Sequence, residues 1–288
     1  MERTREWYLA LGYGNPYRWA HHDDVPFRRL SKPLSGCVVA LVTTAAPYQP
    51  DQGLQGPGAP YNAAAKFYRV YSGDSAVDHD VRIAHVAIDR RHTSMEDPGT
   101  WFPLPLMREA AQRGRFRLAP RFHGLPTNRS QRATIEVDAP ALLDRCREDG
   151  VNAVVLVPNC PVCHQSTSLA ARHLEASGIA TVVMGCAKDI VEHCGVPRFL
   201  FSDFPLGNSA GKPHDFASQE KTLELALGLL ETAAGPRTTA QSPLSWSESS
   251  EWKRDYMNAE ALTPGEIARL RAESDLAKDV AKIARESG

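Results

Sequence analysis

A chain of 288 residues, 42% hydrophobic and with a formal net charge of −1, can bury a substantial core but has no basic excess for binding nucleic acid. Its start lacks the apolar core of a secretory leader, and no stretch reaches the roughly 18 apolar residues of a membrane span. The composition therefore excludes membrane and nucleic-acid partners and points to the cytoplasm, where six unevenly spaced cysteines are not a disulfide framework and a close pair serves catalysis or metal binding.

Residues 1–35 are polar and rich in aromatic and charged groups, as expected of a segment that wraps a domain surface. "GCVVALVTTAAP" (36–47) reads as a buried parallel strand running into a loop. The stretch that follows, "YQPDQGLQGPGAPYN", is a loop dense in Gly and Pro, long enough to carry function. "DVRIAHVAID" (80–89) reads as a second buried strand carrying His85 and ending at Asp89. Helices are predicted over 104–113 and 139–149, the second ended by Gly150.

From residue 152 the alternation becomes regular. A strand over 152–158 precedes a helix at about 163–177 that Gly178 ends. Strand 179–184, helix 187–194, strand 197–203 and helix 217–234 follow, the last with Leu223, Leu227 and Leu230 on one face. Repeated strand–helix units with apolar strands predict an α/β fold, a mostly parallel sheet with helices on both faces. That domain is expected over 1–235. Residues 236–288 are expected to be a polar linker and a C-terminal helical extension, opened by a Thr263–Glu266 capping box and striped by Ile267, Leu270, Val280 and Ile283.

The chemistry concentrates in "NCPVCHQ", where Cys160 and Cys163 flank Pro161 and Val162 and His164 follows at once. In open parallel sheets ligands bind beyond the carboxyl ends of strands, where loops lead into helices. A thiolate there is stabilised by unpaired backbone N–H groups and the helix dipole. Cys160, nearer the strand end, is the expected nucleophile, with Cys163 to resolve the intermediate and His164 as general acid or proton carrier. Thr43 and Thr44 end the first strand on the same sheet edge, and Asp203 and Asn208 lie in a third loop there. These four, with His85 and Asp89, are candidate substrate contacts, His85 having the competing reading of a satisfied core histidine. A Cys-x-x-Cys-His haem attachment does not fit a chain without export signals. A zinc ion held by Cys160, Cys163 and Cys186 or His164 is the alternative of another class. "GLQGPG" is not a dinucleotide loop, and no phosphate loop, Gly-x-Ser-x-Gly elbow or His-Glu-x-x-His occurs.

Over roughly 30–220 the chain resembles the family that includes the B components of glycine, sarcosine, betaine and D-proline reductases. The resemblance is carried by "KPLSGCVVALVTTAA", "VVLVPNCPVCHQSTSLAARHLEASGIATVVMG" and "VPRFLFSDFPLGNSAGKPHD". It implies a selenocysteine or cysteine that attacks the substrate, here Cys160 or Cys163, and reductive cleavage of a carbon–heteroatom bond. It also implies a partner subunit bearing a pyruvoyl group. The expectation is a thiol-dependent reductase or lyase acting on a C–S, C–N or N–N bond of a small molecule. It binds no cofactor and is re-reduced by an external thiol or thioredoxin-like protein. Thiol transfer or isomerisation without net reduction, a non-catalytic subunit and a homo-oligomer are the other expectations.

Overall fold

A computed structural model describes residues 1–286 except 15, 16, 57, 58, 60, 61, 63, 64, 84, 86, 128 and 129, and the side chains of 277, 280, 281 and 284–286. The end of "GLQGPG" and the side chain of Val280 lie outside the described residues. In chain order the strands are Val38–Thr43 (β1), Ala46–Pro47 (β2), Tyr71–Asp74 (β3), Val81–Arg82 (β4), Arg117–Leu118 (β5), Arg121–Gly124 (β6), Ala153–Val157 (β7), Ala180–Gly185 (β8), Arg198–Phe201 (β9) and Thr238–Gln241 (β10). The helices are Glu2–Ala10 (α1), Leu104–Gln112 (α2), Gln131–Ala133 (α3), Ala139–Glu148 (α4), Pro161–Ala176 (α5), Lys188–Cys194 (α6), Phe216–Thr232 (α7), Trp252–Asp255 (α8) and Pro264–Glu286 (α9). A π-helical turn, Thr134–Asp138, joins α3 to α4.

The main sheet runs β10-β9-β8-β7-β1-β6-β3, with β5 also paired to β1. All pairings are parallel except that of β3 with β6. Strands buried on both faces read as continuous apolar runs, and every residue of β7 and β8 is buried. Alternation divides them between two cores. Val39, Leu41, Val155, Val157, Val182 and Met184 pack with α2 and α7, through Met107, Ala110, Leu223 and Leu227. Ala40, Val42, Val154, Leu156 and Val183 pack with α4, α5 and α6, through Leu142, Ala170, Leu174 and Val191. The expected α/β fold with helices on both faces is the observed one.

From β1 the chain goes to β6 on one side, then crosses to β7 on the other. Connections that leave a strand in opposite directions open a crevice beyond the carboxyl ends of the two central strands. Here those are β1 and β7, which deliver Thr43–Thr44 and Asn159–Cys160 to one place.

Several expectations change. Among the described residues of 80–89, only Val81 and Arg82 form a strand, paired antiparallel with β2 and outside the main sheet. Val81, Ile83 and Ile88 are buried in the α2–α7 core outside the main sheet, so their apolar pattern reflects packing. The sheet continues to Gln241, past the boundary at 235, because β10 pairs with β9 where a polar linker was expected. Residues 1–35 include the helix α1, and the part after it does wrap. Ala20 N–H donates to Gln165 (2.8 Å) and Arg172 to the Asp24 carbonyl (2.7 Å). Arg198, fully buried, pairs with the equally buried Glu175 at 2.7 Å and lies over the Phe27 ring. The capping box of α9 forms, Glu266 N–H donating to Thr263 Oγ1 at 3.3 Å. The helix meets the rest through Arg271 and Lys278 over Tyr13, while Leu276 and Ile283 are exposed, so its stripe is not a buried seam.

His123 in β6 is fully buried, 2.9 Å from Ser72 Oγ, and burial pushes its pKa down from 6.5 to about 4. The unfolded chain takes up this proton near 6.5 and the fold only near 4, so the folded state loses stability as pH falls through that window. We predict a loss of roughly 3 kcal/mol from this group across that range, read as a falling urea midpoint. A midpoint independent of pH between 7 and 5 contradicts it.

Candidate active site

The cysteine motif begins where β7 ends. Cys160 is the N-cap of α5, in extended backbone, and its sulfur accepts the Cys163 N–H at 3.3 Å. Pro161 occupies the first helical turn, where a missing N–H costs nothing. The helix therefore starts two residues before the expected 163, with a thiol in the capping place usually held by Ser, Thr, Asp or Asn. The fold of this turn brings the two sulfurs to 2.6 Å, and both cysteines are reduced.

Both sulfurs are buried. Cys163 is 0% exposed and Cys160 7%. Their surroundings are nevertheless polar. Burial raises the Cys160 thiol, and its contact with Cys163 raises it further, outweighing the backbone N–H. Burial also acts to raise Cys163. The Cys160 hydrogen bond, the His85 imidazole and the Thr44 hydroxyl oppose it and hold Cys163 well below the ordinary thiol range. The two sulfurs are thus pushed in opposite directions, Cys160 up and Cys163 down. The groups that act to lower Cys163 are neighbouring side chains.

Thr44 is fixed by Asn159, whose Nδ2 donates to Thr44 Oγ1 at 3.0 Å. His85 Nε2 lies 3.3 Å from Thr127 Oγ1, and its Nδ1 is buried without a hydrogen-bond partner. His85 is therefore not a satisfied core histidine. One ring nitrogen of His85 and the two sulfurs lie within 4.8 Å of one another. Thr44 and His85 also line a small chamber of about 10 Å³ with Ala46, Ala65, Lys66, Phe67 and Thr127.

His164 is held by backbone groups of two elements. It is fully buried, its Nδ1 sits 2.8 Å from the Cys160 carbonyl, and its Nε2 accepts N–H groups of Cys186 (2.9 Å) and Ala187 (3.2 Å). Those contacts fix the Nδ1–H tautomer, and burial lowers its pKa, so it is a neutral strut between α5 and the end of β8. Cys186 does not join the pair. Its sulfur is 4.0 Å from Ser209 Oγ, and burial pushes its thiol up to about 12. The zinc ligand set drawn from the sequence thus loses both its proposed additions.

A larger cavity of about 550 Å³ lies on the other side of Pro161, walled by α1, α8 and the ends of β8 and β9. Asp89 and Asp203 line it, the first bound to His92 Nδ1 at 2.9 Å and the second paired with Lys253. Asn208 is buried in its own loop, bonding the Pro205 carbonyl (3.0 Å) and Thr93 (3.3 Å). Thr43 Oγ1 accepts the Ala45 N–H at 3.1 Å, which shapes the turn after β1. Of the nine candidates, Cys160, Cys163, Thr44 and His85 meet. Asp89 and Asp203 share the larger cavity, while Thr43, His164 and Asn208 serve the backbone around them. The sequence reading missed Asn159, although it stands inside the quoted motif. It also missed Thr127, whose preceding strand gave no apolar signal.

No family model matches the chain, and no solved structure does. D-proline reductase subunit gamma of Acetoanaerobium sticklandii is 30% identical over 189 residues, covering 65% of this chain and 75% of that protein. This chain belongs to the proline/glycine reductase family. The family resemblance read from its motifs is thereby established. Among its described residues no helix is long and apolar enough to cross a membrane.

Gly185, the last residue of β8, makes the family member's strut possible. A Cβ there would stand 2.6 Å from His164 Nε2. Gly185→Ala is expected to cost about 1–3 kcal/mol in urea unfolding, and most of that cost should vanish in a His164→Ala background. An equal cost in both backgrounds removes the strut from the explanation.

Proposed function

We propose that this chain is the thiol-bearing subunit of a reductase that cleaves a carbon–heteroatom or N–N bond of a small molecule. One observation carries the reading: a buried pair of free cysteines with sulfurs 2.6 Å apart, on the carboxyl edge of the sheet, in a member of the proline/glycine reductase family. The relative's name marks it as a subunit of a D-proline reductase, which supports a partner chain here and makes small amines such as D-proline the first substrates to try. The partner would be the pyruvoyl-bearing subunit that the family resemblance implies.

The charge distribution favours Cys163 as nucleophile over Cys160. For a C–N or C–S substrate, the Cys163 thiolate attacks the carbon, and the heteroatom leaves with the bonding electrons and takes a proton. Cys160, having given up its proton, attacks the Cys163 sulfur. The S–S bond forms as the carbon–sulfur bond breaks, and the carbon, next to an electron-withdrawing group, keeps that pair and is protonated. The substrate gains two electrons and two protons, and the dithiol becomes a disulfide. An external thiol or thioredoxin-like protein returns two electrons. Thr44 and His85 hold the Cys163 charge before attack, and His85 is the nearer candidate for proton transfer. Asp89 and Asp203, in the larger cavity, are candidates to hold the remainder of the substrate. Ala65 to Phe67 wall the small chamber and must yield for a substrate to reach Cys163.

The test is intact-mass analysis of the reduced protein after incubation with D-proline and related amines, with and without the partner subunit. Wild type should turn over and become oxidised by two hydrogens. Cys160→Ser should accumulate a substrate adduct on Cys163, Cys163→Ser should form neither product, and each should lose at least a hundredfold in turnover. Wild-type turnover in the double serine variant refutes the proposal.

A further inference from the structure

The same sulfurs have a second chemistry open to them. Cys160, Cys163 and His85 are all buried, and one donor atom from each lies within 4.8 Å of the others. Two polar atoms around them lack hydrogen-bond partners though removed from water: His85 Nδ1 and Asn159 Oδ1. Buried polar atoms are nearly always satisfied, so an imidazole that neighbours two thiols and keeps one nitrogen unpartnered points to a ligand that the protein atoms do not supply. Two cysteines separated by two residues match the spacing of zinc-binding turns. The Cys163 N–H on the Cys160 sulfur, at 3.3 Å, is the kind of second contact that steadies a metal-bound thiolate.

We propose that the reduced pair and His85 form a three-ligand site for one thiophilic divalent cation, best suited to Zn²⁺, with the fourth position open to water or a ligand heteroatom. Three protein ligands and an open position distinguish such a site from a closed structural one. Zn–S bonds of about 2.3 Å in tetrahedral array put the sulfurs about 3.8 Å apart. The pair at 2.6 Å must therefore part by roughly 1 Å, a side-chain rotation that leaves α5 in place. Binding expels the proton shared by the sulfurs. Because the disulfide has no thiolates to offer, metal occupancy and oxidation exclude each other, so the ion shields the dithiol from oxidation and blocks its reductive chemistry. The inference goes beyond the reductase reading and stands on the geometry alone.

The experiment titrates the full-length, reduced, chelator-stripped protein with Co²⁺ and then Zn²⁺. One equivalent of Co²⁺ should give a thiolate-to-cobalt charge-transfer band, which one equivalent of Zn²⁺ abolishes. Cys160→Ser and Cys163→Ser should each weaken the band strongly, His85→Ala should lower affinity at least tenfold, and Cys186→Ser should change nothing. Circular dichroism on every variant separates lost ligands from lost fold. Absence of the band in wild type, or unchanged affinity in His85→Ala, overturns the site. Thiol counting before and after mild oxidation reports on the dithiol independently. A protein that cycles to the disulfide but binds no metal refutes this inference while leaving the reductase reading standing, and metal binding without any cycling does the reverse.

Discussion

The contact between two buried sulfurs governs the site. Two thiols brought together away from water cannot both ionise, because like charges at 2.6 Å in a poorly solvated place repel strongly. They need not both stay neutral either, since a thiol that donates to its neighbour removes much of the cost of the neighbour's charge. Thr44 and His85 break the symmetry between them. Both stand beside Cys163 and act to lower its thiol, while burial and the contact with Cys163 raise Cys160. Everything else in the crevice can be understood as holding those four side chains in register.

The parallel sheet does most of that holding. β1 and β7 are adjacent, and their pairing aligns Thr43 with Val157, so the residues that follow each strand emerge together. Asn159 then bridges the two loops by bonding Thr44. On the far side, His164 ties the first turn of α5 to the N–H groups after β8, through space that only Gly185 leaves free. The segment after α1 closes the outer face, anchored by the buried Arg198–Glu175 pair, whose separation would leave one charge stranded in the interior. A rigid helix start and two rigid strand ends thus fix the sulfurs without any element having to be long.

Sequence reasoning reached the parts of this that follow from continuous apolar runs. β1, β7 and β8 were legible because strands covered on both faces have no polar side to disguise them. β3, β5, β6 and β10 were not. "YSGD", "RL", "RFHG" and "TTAQ" are short and largely polar, and their place is set by pairing with a neighbour rather than by their own pattern. The opposite error occurred at 80–89, where apolar residues serve a core without joining the sheet. In the site, the cysteine pair and Thr44 could be located by strand ends alone. The backbone contact of His164 was not legible, because it depends on the helix: four residues past Cys160, the ring meets that residue's carbonyl at 2.8 Å.

The most direct test of this account is the thiolate ultraviolet absorbance of the reduced protein as a function of pH. The account predicts one thiolate per chain at neutral pH, persisting as the solution is acidified below the usual thiol value of 9.0 and absent from Cys163→Ser. A protein whose first thiolate appears only at or above that value would show that the buried sulfurs share no charge, and the proposed chemistry would lose its nucleophile.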